Sequence, residues 1–479
     1  MRRLITVAVA VALLAGCSDD KPNPPRAQAS SAAAAPATPA ASAPVQTRQV
    51  DAAGDLLTMN VGPLIRTGDT VVFTAGTRLD SAGPVQISRP FSASGTTTFD
   101  GVRLVDTEHR RVYLAAEDGT SCACSSRVRA NQGETKALRA AFTGVPAEVD
   151  KLSVMLPYAG VFADVPVMAG PAPDDLGLGS AASLVADLDA YTERLDVGLR
   201  TRQGRDGVDL DLDTDVLFKL DSAQLTGQAS KTIAAAVADI KAAGSGPLTV
   251  TGHTDDSGTT EHNQTLSQQR AEAVAKALKL PKVQWPTTVA ARGETQPVVP
   301  NTDAASRARN RRVTIAFKGT PKRQTKDVPL PRTKGVQGKS PLSVKLPLNR
   351  GTVGFSVGTA IQRGAFLQVD LIATAMGGDA TILDFLGQSV FTARNEFDPY
   401  AKYGAAGVRL LAGDTAVLPL DYEREPGDHR CLCDRLLNQA IPEGSSQKLS
   451  LWFPAPPAEV STVAIDVPDR LRLTDVPVS

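Results

Sequence analysis

The chain has 479 residues, a hydrophobic content of 42%, and 51 Lys and Arg balanced by 51 Asp and Glu. That length exceeds one ordinary core and leads us to expect about two to four domains. A formal net charge of zero argues against nucleic acid as a partner, because such partners select a strongly basic domain.

The N-terminus reads MRRLITVAVAVALLAGC, two arginines followed by an apolar run from Leu4 to Gly16. Spanning a bilayer takes roughly 20 apolar residues, so the run is expected to be a signal peptide rather than a membrane helix. Its end, Leu14 to Cys17 (LAGC), resembles the lipobox of bacterial lipoproteins. The resemblance implies that Cys17 carries lipid, with signal peptide and lipobox together occupying 1–17. Residues 18–54 are rich in Ala, Pro and Ser and poor in bulky apolar residues. Such a segment buries no core and is expected to be an extended tether. At about 3.1 Å per residue it would reach on the order of 100 Å.

An internal repeat follows. PAEVDKLSVMLPYAGVFADVPV at 146–167 aligns without gaps to PAEVSTVAIDVPDRLRLTDVPV at 457–478. Upstream, GVRL recurs at Gly101–Leu104 and Gly407–Leu410, and each copy has a Cys-x-Cys, Cys122/Cys124 and Cys431/Cys433. Ile65 and Gly68 match Ile361 and Gly364 at the same spacing. The copies, 55–167 and 345–479, consist of short β-type runs separated by turn residues, which predicts two homologous all-β sandwiches. They resemble the immunoglobulin-like modules of actinobacterial secreted lipoproteins.

Between the copies the pattern changes. Residues 168–206 read as a connector with an amphipathic helix around ASLVADLDAYTERL. DVLFKL (215–220) reads as a strand, and ASKTIAAAVADIKAAG places Ile233, Val237 and Ile240 at helical spacing. Strand PLTVTG, helix NQTLSQQRAEAVAKALKL, strand TTVAARG, a short helix around 302–309 and strand RRVTIAF follow. This β-α-β-α-β order predicts an α/β sandwich over 207–318, its helices covering one face of a sheet. Residues 319–344 read as a basic, Pro-containing linker. Multidomain architecture, a central α/β sandwich flanked by two β-sandwiches, is therefore expected.

VLFKLDSAQL, GHTDDSG, NQTLSQQRAEAV, ARGETQP and NTDAASRARNRRVTIAF occur in this order through the central segment. Together they resemble the OmpA-like peptidoglycan-binding domain family. The resemblance implies a module, not an enzyme, that grasps the free end of diaminopimelate in the peptidoglycan stem peptide. By match to the family's motifs, Asp255 would receive the ammonium and Arg270 the carboxylate. The family often has Asp or Asn where Lys219 stands, which leaves a contact from that loop unsupported.

The chemistry is sound without the resemblance. A zwitterionic amino-acid end needs an acceptor-only anion and a planar double donor a few ångströms apart, and Asp with Arg is such a set. Arg270 lies four residues after Leu266, on the stripe that Val274 and Leu278 also mark as buried, so it must reach the core rim or find a partner. The alternative is an Asp255–Arg270 salt bridge that merely pins loop to helix. Thr254, Asn263 and Arg311 are further candidates, Asn263 either as helix N-cap or as ligand contact. His253 and His262 lack a metal-ligand set.

Export favours disulfides among Cys122, Cys124, Cys431 and Cys433. Bridges within each motif and bridges between the repeats both remain open. His429 beside Cys431 and Cys433 has no counterpart in the first repeat, so neither metal nor cofactor is expected. The expected partners are peptidoglycan, a membrane through the lipid anchor, and a protein docking on the sandwiches. The chain would lie in the cell envelope, on the outer face of an actinobacterial cytoplasmic membrane or at a Gram-negative outer membrane. A competing reading makes the duplicated modules an adhesion or partner-docking device, with wall binding only as an anchor.

Overall fold

The computed structural model describes residues 46–479 except 94, 172–175, 177–178, 321–327, 341–343, 349–350, 383–385, 387–403, 426–427 and 435–439. The segment expected as signal peptide, Cys17 and most of the segment expected as tether thus lie outside the described residues. The last part of the expected tether is ordered as a strand. Gln46–Ala52 is a strand paired antiparallel with Asp55–Val61, and its Val50 and Ala52 are buried. Among the described residues no helix is long and apolar enough to cross a membrane.

Both repeats are all-β, and their strands correspond. Lys151–Leu156 runs antiparallel between Gly160–Ala169 and Arg103–Asp106. Thr462–Val467 lies in the same way between Leu471–Pro477 and Arg409–Ala412. The register slips between Leu152 and Val154 in the first and between the aligned Val463 and Ile465 in the second. In the second repeat, strands Thr352–Arg363, Phe366–Gly377 and Ser446–Pro454 form a separate layer. They share one apolar core with the strands just named, Phe355, Leu371 and Leu451 meeting Leu410, Ile465 and Leu473. In the first repeat a connected ten-stranded sheet surrounds a core built on Phe73, Phe91, Phe99, Phe142 and Phe162.

The connector is where the sequence misleads. In place of a helix it forms two strands, β1 (Val185–Asp187) and β2 (Ala190–Arg194). Ala186, Leu188 and Ala190 are buried at every second residue, the period of a strand. β1 pairs with Arg111–Leu114 of the first repeat, and β2 with Thr415–Val417 of the second. These are equivalent edges, since each accepting strand is the second arm of the hairpin that begins at GVRL. Unpaired backbone groups at two sheet edges outweigh a weak helical preference. A small apolar core joins the repeats here: Val105, Val112 and Met155 from the first, Leu188 from the connector, and Phe366, Leu432 and Trp452 from the second.

The central region adds β3 (Leu199–Gln203), β4 (Val208–Asp213), α1 (Thr214–Leu217), α2 (Ala229–Ala243), β5 (Leu248–Gly252), α3 (Thr260–Leu278), β6 (Thr287–Ala291), α4 (Ala304–Asn310) and β7 (Arg312–Phe317). Within 207–318 the first strand is β4, VDLDLD, whose strict alternation sends Val208, Leu210 and Leu212 under the helices and the three aspartates to the opposite face. DVLFKL is not a strand. The carboxylate of Asp213 accepts from Asp215 N at 2.8 Å and caps the short turn α1, after which Phe218 only bridges Leu225. Ile233, Ile240 and Val274 of α2 and α3 pack against Leu210, Leu212 and Ile315.

The strand order β6-β5-β7-β4-β3-β2 continues through Thr415–Val417, Arg409–Ala412, Thr462–Val467 and Leu471–Pro477 to Val336–Lys339, making one eleven-stranded sheet. The central sheet and one layer of the second repeat are therefore continuous. The basic linker, beyond its residues outside the description, contributes the last strand, parallel to Leu471–Pro477. Both Cys-x-Cys motifs close on themselves, Cys122 with Cys124 and Cys431 with Cys433.

Candidate functional site

The loop after β5 and the second turn of α3 are pressed together by a glycine. A Cβ on Gly252 would stand 2.0 Å from the carbonyl oxygen of Ser267, so a larger residue would push strand and helix apart. Backbone bonds then fix the loop, with His253 N donating to Arg312 O and Thr254 N to Gly293 O, each at 2.9 Å. Asp255 follows, buried, its Oδ1 accepting from Ser257 N at 3.0 Å.

Asp255 and Arg270 make no ion pair with each other, so the simple loop-to-helix bridge does not form. Asp255 Oδ2 accepts from Arg311 Nη1 at 2.6 Å, while Arg311 Nε donates to Asp215 Oδ1 at 2.8 Å and its Nη2 to Asp215 Oδ2. A guanidinium held in a bidentate fork by one carboxylate and by a second beyond it is strongly stabilised in its charged form. The Arg311 pKa is accordingly raised above its ordinary value, first by the bond to Asp215.

Arg270 is only 5% exposed on the buried stripe of α3. Its Nε donates to Ser222 O at 3.0 Å, and its guanidinium carbon lies 5.4 Å from the Phe218 ring centre. Its two Nη groups make no hydrogen bond among the described residues. Burial lowers its pKa, and Asp215 and Asp221 pull the other way. The result is a sequestered cation with both Nη groups unspent, beside a carboxylate network. Thr254 Oγ1 is also buried there without a partner among the described residues.

Other sequence candidates sort differently. Asn263 is not the N-cap; Thr259 is, its side chain accepting from His262 N at 3.2 Å. Asn263 lies buried one turn in and donates to Asp255 O at 3.4 Å and to Glu294 Oε2 at 2.6 Å, so it braces the loop. Asn310 is a structural pin, with its amide oxygen accepting from the N–H groups of Val298 and Val299 and its nitrogen donating to Val299 O. Lys219 is exposed and makes no side-chain bond among the described residues. Burial and the charge of Arg312 push His253 down to about 3, so it is neutral. His262 Nε2 lies 2.7 Å from Asp221 Oδ1 at the surface. No group of residues suited to a metal occurs among the described residues. Sequence reasoning missed Asp215, Phe218 and Ser222. All three sit in or beside VLFKLDSAQL, and reading that segment as a strand concealed a turn that folds over Arg270.

An α/β unit with a buried carboxylate and a buried guanidinium at one end of its sheet defines the class. The OmpA family model matches residues 217–311, and the chain belongs to this family. A peptidoglycan-associated lipoprotein of Pseudomonas putida is 32% identical over 143 residues, covering 30% of this chain and 82% of that protein. Its namesake in Pseudomonas aeruginosa is 34% identical over 103 residues, 21% of this chain and 61% of the relative. Among solved structures, the cell wall anchor of the T6SS from Pseudomonas aeruginosa matches at 28% identity and TM-score 0.23, covering 25% of this chain and 87% of that one.

Proposed function

We propose that the chain is a lipid-anchored cell-envelope protein that binds the diaminopimelate end of the peptidoglycan stem peptide and so links membrane to wall. The observation that carries this reading is Arg270, a buried guanidinium with two free Nη groups, the geometry a carboxylate fills bidentately. The ammonium on the same carbon would lie against Asp255, sharing that carboxylate with Arg311. The likeness to the peptidoglycan-associated lipoproteins supports the ligand class, and the LAGC sequence ending at Cys17 supports the anchor. The two repeats, with their likeness to immunoglobulin-like modules, would be carried at the wall surface.

Each charge-assisted contact contributes about 1.5–3 kcal/mol, which gives modest affinity at one site; a tether and a repetitive lattice multiply it. Sedimentation of the intact chain with purified sacculi tests the reading. Asp255→Ala and Arg270→Ala should each reduce bound protein about tenfold or more, with Arg270→Ala the more severe. Undiminished binding by both variants would overturn the site assignment.

A further inference from the structure

The helix-free face of the central sheet holds a second polar site, separate from Asp255 and Arg270. A cavity of about 400 Å³ lies between β2, β3, β4 and β7 on one side and the hairpin strands Asp421–Glu425 and Asp428–Cys431 on the other. The strand register explains its polarity. Leu210 and Leu212 face the helices, so their neighbours Asp209 and Asp211 face the cavity, opposite Arg202 and Arg200 of β3. Arg202 and Asp209 are neutralised locally, while Asp211 keeps its charge beside Arg312. Arg202 pairs with Asp189 and Asp209, and Asp211 accepts from Thr314 Oγ1.

Three arginines are left with donors to spare. The side chains of Arg200 and Arg309 make no hydrogen bond or ion pair among the described residues, and Arg200 Nη2 is fully buried. Arg312, only 6% exposed, has a buried Nε with no hydrogen-bond partner, Asp211 being 3.6 Å away. Burial lowers the pKa of Arg309 and of Arg312; the charge of Arg200 lowers both further, and at Arg312 Asp211 pulls the other way. The carboxylate of Glu193 is the largest compensating charge for Arg309. Buried guanidinium donors left unpaired are costly, and a polar cavity of this volume is the size of a small-molecule site.

We propose that this cavity binds a phosphate group, with Arg200, Arg309 and Arg312 as its ligands. Arg312 gives its two Nη groups to Asn310 O and Gln296 O, so two free forks and one Nε converge from separate elements, and donors spread in this way suit a tetrahedral anion with three acceptor oxygens better than a planar carboxylate. Free phosphate, a soluble phosphate ester and a phospholipid headgroup share this chemistry.

Isothermal titration of the intact chain, kept in a detergent without phosphate, with inorganic phosphate and with glycerol 3-phosphate tests the site. Flotation with phosphatidylglycerol vesicles, against phosphatidylcholine carrying no net charge, covers the lipid source. Saturable binding is expected. Arg200→Gln and Arg309→Gln should each weaken it about tenfold, and Arg270→Ala should leave it unchanged. Glu193→Gln, which removes the competing carboxylate, should tighten it several-fold, a gain that misfolding cannot imitate. Binding of the soluble ligands or of the vesicles alone identifies the source. Saturation by none of the three, or affinity indifferent to both arginine variants and to Glu193→Gln, would overturn the proposal.

Discussion

The two repeats share a backbone plan and put it to different uses, and their matched positions show how. In the first, Ala116, Ala123 and Ala141 form a shallow apolar floor covered by Leu176 and Ala181. In the second, the residues with the same backbone bonding are Leu420, Leu432 and Trp452, and they build the core that docks onto the first repeat. Small residues in one copy and large ones in the other thus convert the same surface from a covered floor into an interface. The asymmetry extends to the edges. β1 ends the path of the first repeat's sheet, whereas β2 carries the second repeat's sheet onward into the central domain.

The sharpest way to break that comparison is Trp452→Ala, which gives the second repeat the residue that the first carries as Ala141. Trp452 is fully buried, and its truncation should cost about 3–5 kcal/mol. Since alanine is tolerated at this position in the first copy, the loss should fall on docking between repeats rather than on the fold of either. Calorimetry should then resolve a separate transition for the first repeat; one cooperative transition, merely shifted, would show that the interface does not depend on this anchor.

A second matched pair separates hydrogen bonding from charge. Ser125 Oγ accepts from Arg139 N at 2.9 Å, and at the equivalent place Asp434 Oδ2 accepts from Ser450 N at 2.7 Å. The serine does so without charge. Asp434 is buried, its Oδ1 has no hydrogen-bond partner among the described residues, and burial drives its pKa up to about 7. Unfolded, an aspartate titrates near 3.9. Between about pH 4 and pH 7 the folded chain holds a proton the unfolded one has lost, so stability falls as pH rises through that window and levels off above it. Asp434→Ser keeps the acceptor and removes the charge. It should flatten this slope and stabilise the protein by about 1–3 kcal/mol above pH 7, as measured by urea titration at pH 5 and pH 8.

How much of this was legible in the sequence follows a physical line. The repeat was plain because aligned motifs fix the same bulge and the same positive-φ aspartates, Asp164 and Asp475. The helices α2, α3 and α4 and strands β5, β6 and β7 were readable from local period and caps. The connector was not, because Ala186, Leu188 and Ala190 satisfy a strand period only once two distant sheet edges are present to receive them. Asp255 and Arg270 are read from the motif as candidates, but their structural partners are not. Arg311 reaches Asp255 from the end of α4 and Ser222 reaches Arg270 from the loop after α1, and neither approach is written in the spacing of the motif. The cysteines left their pairing open because alternate positions on one strand and matched positions in two repeats are equally good arithmetic.

The disulfides offer the mildest test of the comparison. Each Cys-x-Cys ring is local, Cys122 to Cys124 and Cys431 to Cys433, and a loop this short removes little freedom from the unfolded chain. Chain-entropy reasoning gives about 1–2 kcal/mol for each. Both motifs are also bonded to their sheets by backbone, Cys124 bridging to Ala140 and Cys433 to the equivalent Leu451, so neither bridge is needed to hold its strand in place. The surroundings differ, however. Cys433 is buried and its carbonyl oxygen accepts from Arg103 Nη1 of the first repeat at 2.8 Å, whereas Cys122 and Cys124 remain partly exposed. Replacing Cys122 and Cys124 by serine should therefore cost about 1–2 kcal/mol and leave docking intact. The same change at Cys431 and Cys433 should cost somewhat more, because it loosens a backbone carbonyl that the first repeat grips. Equal losses in thermal denaturation of the two double variants would show that the contact from Arg103 does not depend on the ring.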